Sequence, residues 1–314
     1  MVRVLEDRGR VTVLELKHVH KVYRVGAFGG GRLRAVRDVT LTVRPGEVVS
    51  LIGESGSGKS TIGKMVLGLL RPTSGSILFE GTDITTIRGF AAKKDYYSRV
   101  QGVFQDPFSS FNPIFKADRV FEMIRSSYFP RMSDADWKDK VLTALGTVRL
   151  DPENVLNKYP HQLSGGQLQR LLIARALLLD IKMLVADEVI SMLDASTRID
   201  VLNLLADLKE RGLGILFVTH DLSLGNYVSD TSVILRKGAI AEMGPTGRVF
   251  DNPLHPYSRH LLSCVPQLHR TWAEVDAELA ADPPEEVVLP IAEDDHSAPL
   301  VEAEEGHFVG IDQA

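Results

Sequence analysis

The chain has 314 residues, 44% hydrophobic and 25% charged, a balance that suits a soluble globular protein with a sizeable core and excludes collagen-like, coiled-coil and wholly disordered chains. Its net charge of −5 is unevenly spread: residues 271–314 hold 13 acidic side chains and no Lys or Arg, which leaves 36 basic against 28 acidic groups in 1–270. A body of +8 is joined to a tail of −13. The most apolar stretch, Arg170–Leu193, is broken by Arg175, Asp180, Lys182, Asp187 and Glu188, short of the roughly 20 apolar residues that cross a bilayer. The first residues, Met1–Arg10, mix both charges without an apolar run, which argues against a secretory signal peptide. Cys264 is the single cysteine, so neither an internal disulfide nor a cysteine-held iron–sulfur cluster can be built from this chain alone. Together these features point to the cytoplasm.

In chain order, β-branched runs predict strands over Val11–Val19, Val36–Val43 and Glu47–Ile52, separated by the Gly26–Gly31 loop and Pro45-Gly46. The third strand leads directly into a glycine-rich turn, then a predicted helix over Lys59–Leu70 and a short strand over Gly75–Glu80. A further strand is predicted at Val100–Phe104. From Asp106 to about Asp180 the spacing is helical, clearest at Trp137–Val148 and Gln167–Leu179, which reads as a helical insert. Alternation then resumes with strand Lys182–Ala186, helix Ser196–Arg211, strand Ile215–Thr219, a short helix, and strands Val233–Leu235 and Ala239–Met243. Such alternation implies an α/β fold with a mostly parallel core sheet.

The turn Gly53-Glu54-Ser55-Gly56-Ser57-Gly58-Lys59-Ser60, followed by Thr61, fits the G-x-x-x-x-G-K-[ST] phosphate loop. Its backbone N–H groups wrap phosphate oxygens, Lys59 reaches the β- and γ-phosphates, and the Ser60 hydroxyl suits Mg²⁺. Strand Met183–Ala186 ends in Asp187-Glu188: Asp187 suits the surroundings of Mg²⁺, and Glu188 suits a general base for the attacking water. Nucleotide binding follows from these motifs, but many classes of phosphate-loop protein remain open.

The discriminating segment is Leu163-Ser164-Gly165-Gly166-Gln167, with Gln169-Arg170 and Arg175 close behind. Here the sequence resembles the ATP-binding subunits of ABC transporters, whose signature is Leu-Ser-Gly-Gly-Gln. In that family the signature binds the γ-phosphate held by the opposite subunit of a dimer. The resemblance implies that Tyr23 stacks on adenine, that Gln105 contacts Mg²⁺ and the attacking water, that Ser191-Met192-Leu193-Asp194 crosses between subunits, and that His220 contacts the γ-phosphate. Asp194 therefore joins the nucleotide-binding set. Two departures stand out: Val189-Ile190 replaces the usual Pro-Thr, and Met192 stands where alanine is common. Neither removes a ligand, so an ATPase using ATP and Mg²⁺ is expected.

Gln105-Asp-Pro-Phe-Ser-Ser-Phe-Asn-Pro113 and Asn252-Pro-Leu-His255-Pro256-Tyr257 look like segments of the dipeptide and oligopeptide importer branch, with Phe111 in place of a leucine. The resemblance runs from about Leu14 to Pro266. It implies a subunit without a cluster, a heterodimer with a related ATPase, two integral membrane permease subunits and an extracytoplasmic substrate-binding protein. It also implies a peripheral place on the cytoplasmic face of the membrane, with no nucleic acid as partner. A soluble ATPase of nucleic-acid repair or translation, or of a phosphonate-degrading assembly, is the alternative. Peptides, oligosaccharides or nickel chelates are the substrates open to this branch. The expected organisation is an ATPase domain over 1–270, its helical part about 106–180, and an acidic extension over 271–314, partly ordered at most and without a catalytic role. Within the extension, Glu286–Ile291 and His307–Ile311 suit small docked strands.

Overall fold

A computed structural model describes residues 11–25, 31–264 and 299–310. Most of the Gly26–Gly31 loop, the Glu286–Ile291 segment and the ends of the chain lie outside the described residues. The chain divides into two compact units: one takes residues up to Thr86 together with those from Leu216 onward, the other Ile87–Ile215.

The first unit begins with two long strands, β1 (Leu14–Val25) and β2 (Gly31–Val43), which pair antiparallel from Leu14↔Val43 to Val25↔Gly31. β1 is longer than its apolar run because the hairpin supplies backbone partners through a polar stretch. Next come β3 (Val48–Ile52), α1 (Lys59–Val66), β4 (Ser74–Phe79) and β5 (Thr82–Asp83). β4 pairs antiparallel with β1, giving a four-stranded sheet in the order β2-β1-β4-β5. α1 is shorter than predicted: Gly68 takes a positive φ of 65° and its N–H bonds Met65 O, turning the chain out of the helix.

The second unit holds α2 (Phe90–Arg99), β6 (Val100–Val103), α3 (Arg119–Tyr128), α4 (Asp134–Thr147), α5 (Pro152–Val155), α6 (Gly165–Leu177), β7 (Met183–Asp187) and α7 (Ala195–Glu210). Residues 106–180 thus fold as four helices joined by short 3-10 turns and loops. β6 and β7 are parallel, Val100↔Met183 to Val103↔Ala186. Leu145, Leu168, Leu171 and Val185 are fully buried, each contributing about 1.5–3 kcal/mol of apolar burial.

The chain re-enters the first unit through β8 (Gly214–Thr219) and adds α8 (Leu222–Val228), β9 (Thr231–Arg236), β10 (Ala239–Pro245), α9 (Thr246–Asp251), α10 (Pro256–Ser263), β11 (Leu300–Glu304) and β12 (His307–Gly310). Here the strand order is β11-β12-β10-β9-β3-β8. β3 and β9 are parallel; the other pairings through β9, β10, β12 and β11 are antiparallel. Every residue of β3 and β8 is buried, as expected of strands covered on both faces. The parallel strands Val48–Ile52 and Thr231–Arg236 carry at their carboxyl ends the two loops that shape the first half of the site.

Candidate active site

In the first unit, β3 delivers Gly53 buried at its end, and the following Glu54, Ser55 and Gly56 are exposed. Gly58 occupies the turn into α1 with φ 104°, and a Cβ there would come within 2.4 Å of the Ala35 carbonyl oxygen. Only glycine satisfies both the backbone angle and the space. Gly58 is also the N-cap of α1 and offers no side-chain acceptor to the first turn of the helix. The buried Lys59 turns back over the loop, its Nζ donating to Gly53 O at 2.6 Å and Glu54 O at 2.7 Å. The loop is braced from outside by Gly238 N–H, which donates to Ser57 O at 3.1 Å. Ser60 and Thr61 follow, half-buried in the first turn of α1. Tyr23 sits on β1 opposite Leu33, with Lys21 Nζ 5.3 Å from its ring centroid. His220 is exposed at the end of β8, just before Asp221 caps α8 by accepting from Leu224 N–H at 3.2 Å.

The second unit holds the remaining residues. Gln105 is exposed beyond β6. β6 and the residue after it are braced by two polar side chains of α6, the buried Gln169 and the half-buried Arg175: Gln169 Nε2 donates to Phe104 O at 3.4 Å and an Arg175 guanidinium N–H to Gly102 O at 3.1 Å. Burial lowers the Arg175 pKa. Ser164 caps α6 in a reciprocal box, its Oγ accepting Gln167 N–H at 3.2 Å while Gln167 Oε1 accepts Ser164 N–H at 2.9 Å. Gly165 is half-buried near Leu193 and Phe108, and Gly166 lets α6 approach α7 so closely that a Cβ would lie 2.2 Å from Thr197 Cγ2.

Asp187 is buried at the end of β7, and Glu188 takes a positive φ of 51°, uncommon for a residue with a side chain. That geometry turns the chain sharply; Glu188 O accepts both Ser191 N–H at 3.1 Å and Ser191 Oγ–H at 2.9 Å. The departures Val189 and Ile190 are each 2% exposed, so apolar packing holds this turn, whereas Met192 is 62% exposed. Asp194 caps α7, its carboxylate accepting from Ser196 Oγ at 2.6 Å, Thr197 N at 3.0 Å and Thr197 Oγ1 at 2.7 Å. These bonds, the Ser196 hydroxyl foremost, hold its pKa well below the usual carboxylate range. Sequence reasoning singled out neither Gln169 nor Tyr257 for a role. The signal for Gln169 was its place among the buried Leu168, Leu171 and Leu172.

A glycine turn between a buried strand and an uncapped helix, with an Asp-Glu strand end and a capped Leu-Ser-Gly-Gly-Gln helix, defines an ABC-type ATPase. Residues 36–191 match the ABC transporter family and residues 241–290 the oligopeptide/dipeptide transporter, C-terminal region. The chain is 37% identical over 291 residues to the oligopeptide transport ATP-binding protein OppF of Streptococcus pyogenes serotype M1, covering 92% of this chain and 93% of that one. Its identity to OppF of Salmonella typhimurium is 39% over 235 residues, 74% and 70% of the two chains. Among solved structures it resembles the dimeric ATP-binding cassette MJ0796 in a post-hydrolysis state bound to ADP and Pi, with TM-score 0.66, 30% identity, and coverage of 74% of this chain and 98% of that one. The chain belongs to the ABC transporter ATP-binding family, and its carboxyl-terminal part to the oligopeptide/dipeptide branch.

Proposed function

We propose that this chain is the ATP-hydrolysing subunit that powers an importer of di- or oligopeptides. The observation that carries this reading is a fully equipped phosphate loop and Asp187-Glu188 strand end, joined in one chain to the carboxyl-terminal region of oligopeptide/dipeptide transporters. Tyr23 stacks on adenine, the Gly53–Thr61 loop takes the phosphates through its N–H groups, and Lys59 exchanges its carbonyl partners for the β- and γ-phosphates. Glu188 accepts a proton from the attacking water while Gln105 and His220 orient water and γ-phosphate. The signature Ser164–Gln167 and Asp194 serve the nucleotide of the facing subunit in the dimer.

Ser60, Gln105 and Asp187 offer oxygen donors, the chemistry Mg²⁺ prefers, and would hold it together with nucleotide phosphates. When bound, the ion neutralises phosphate charge.

The partners of this reading are a related ATPase subunit, two membrane permeases and an extracytoplasmic binding protein, with the chain peripheral on the cytoplasmic face. No helix among the described residues is long and apolar enough to cross a membrane. An open groove of about 660 Å³ in the second unit, lined by Ile114, Phe115, Arg119, Met123 and Tyr159, supports a permease contact. Ile114 and Met123 are 76% and 59% exposed there, more apolar surface than an unpartnered groove needs.

Glu188→Gln in the assembled complex is expected to retain ATP binding and lose turnover by roughly 10²–10⁴-fold. Normal hydrolysis by that variant removes Glu188 as the base. Peptide should stimulate the wild-type complex; stimulation by an oligosaccharide or nickel chelate instead would redirect the substrate.

A further inference from the structure

The phosphate loop has a second outside brace, and it comes from the other end of the chain. Tyr257, near the start of α10, points its hydroxyl at the loop and accepts the Glu54 N–H at 3.4 Å. Its ring is 8% exposed, packed in a cluster with Ile234, Ala241 and Val249, and the Arg236 guanidinium lies 5.2 Å from its centroid. Burial raises the phenol pKa, which keeps the hydroxyl neutral.

What fixes Tyr257 is a run of buried polar contacts. His255 caps α10, its Nδ1 accepting Tyr257 N–H at 3.0 Å. The backbone ahead of that cap is gripped by Glu242 of β10, whose carboxylate accepts Leu254 N–H and His255 N–H, each at 3.0 Å. Glu242 is fully buried, and so is its third partner: His307 Nε2 of β12, at 2.7 Å. Arg248 donates to Glu305 O at 2.6 Å and ties the same hairpin down. A carboxylate placed at 0% exposure is costly unless such partners hold it, so each contact stabilises the others.

We propose that Tyr257 is a positioning residue for the phosphate loop, and that the β11–β12 hairpin, acting through Glu242, keeps it in place. The proposal rests on the ATPase reading above and extends it: the carboxyl-terminal hairpin tunes affinity for the ATP phosphates without touching the reaction. The hydroxyl holds the Glu54 backbone in place, so less ordering of the loop is needed when nucleotide arrives.

The test uses the full-length chain in its assembled complex, with Mg-ATP as ligand, measuring KM and kcat for hydrolysis and the melting temperature. Tyr257→Phe keeps the ring in its apolar cluster and deletes only the hydroxyl. It should raise KM for ATP roughly three- to ten-fold, the range of one hydrogen bond, with kcat changed less than two-fold. Glu242→Gln and His307→Ala should move KM in the same direction, and Glu242→Gln combined with Tyr257→Phe should add little to Tyr257→Phe alone. An unchanged KM in Tyr257→Phe overturns the proposal, whether or not the melting temperature falls, and so does a loss confined to kcat. A KM shift in Tyr257→Phe but not in His307→Ala overturns the part assigned to the hairpin. Failure of the wild-type complex to hydrolyse ATP would instead strike at the ATPase reading itself.

Discussion

The two helix starts that carry the nucleotide motifs solve opposite problems. α1 begins at Gly58, which brings no side-chain acceptor to the helix start. α6 begins at Ser164 inside a reciprocal box with Gln167, so the N–H groups of Ser164 and Gln167 are held by each other's side chains. The phosphate loop thus leaves its helix start without a side-chain cap, whereas the signature fixes its helix start with its own side chains. This division suits the proposed dimer, in which the signature would serve nucleotide held on another subunit and must keep its shape while it waits.

The largest break in that comparison is expected from Lys59→Ala. It removes the cation that bridges Gly53 O and Glu54 O and would meet the phosphates, so ATP turnover should fall on the order of 10²–10³-fold while the α6 box is untouched. ATPase assays together with circular dichroism would separate lost chemistry from lost fold.

A smaller effect sharpens the other side. Gly166→Ala places a Cβ 2.2 Å from Thr197 Cγ2, an overpacking strain of about 1–3 kcal/mol. Because the obstacle is a methyl group rather than backbone, adding Thr197→Ser, which deletes Cγ2 and keeps the hydroxyl that bonds Asp194, should restore most of the lost stability in a denaturant titration. No such rescue is expected at Gly58, where the obstacle is the Ala35 carbonyl.

The smallest effect is pH-dependent. Asp194 has its folded pKa depressed, so its cap contributes stability that is present above the unfolded carboxylate pKa and lost as pH falls through the folded one. Asp194→Ala should therefore melt slightly below wild type at neutral pH, and the gap should narrow progressively on acidification, as followed by thermal unfolding across a pH series.

Much of this was legible in the chain. The phosphate loop, the signature and the Asp187-Glu188 strand end are contiguous motifs whose geometry is local, and the alternation of apolar runs placed β3, β7 and β8 correctly to within a few residues. α2 escaped notice because it buries only Tyr96 and so lacks an apolar stripe. α3 was absorbed into the helical insert without its own boundaries. Least legible were contacts joining distant positions: nothing in the sequence pairs Tyr257 with Glu54, 203 residues away, or His307 with Glu242, 65 away. A buried glutamate on β10 reads from sequence as an exposed strand residue, because only the folded chain brings its partners to it. The helix-capping role of Asp194 was likewise hidden behind its place in the family's cross-subunit loop.

The hairpin at the carboxyl end has one more consequence. Without β12, the strand β10 would close the sheet with a free row of backbone donors and acceptors, the kind of margin onto which another chain can zip. β12 occupies that margin and leaves β11 as the rim instead, a strand of Leu-Val-Glu-Ala-Glu with Glu302 and Glu304 exposed and no lysine or arginine to compensate them. A second copy offering the same rim meets its own negative charge. Two of the acidic side chains that made the composition look lopsided thus stand on this sheet border, where like charge opposes edge-to-edge pairing with a second copy.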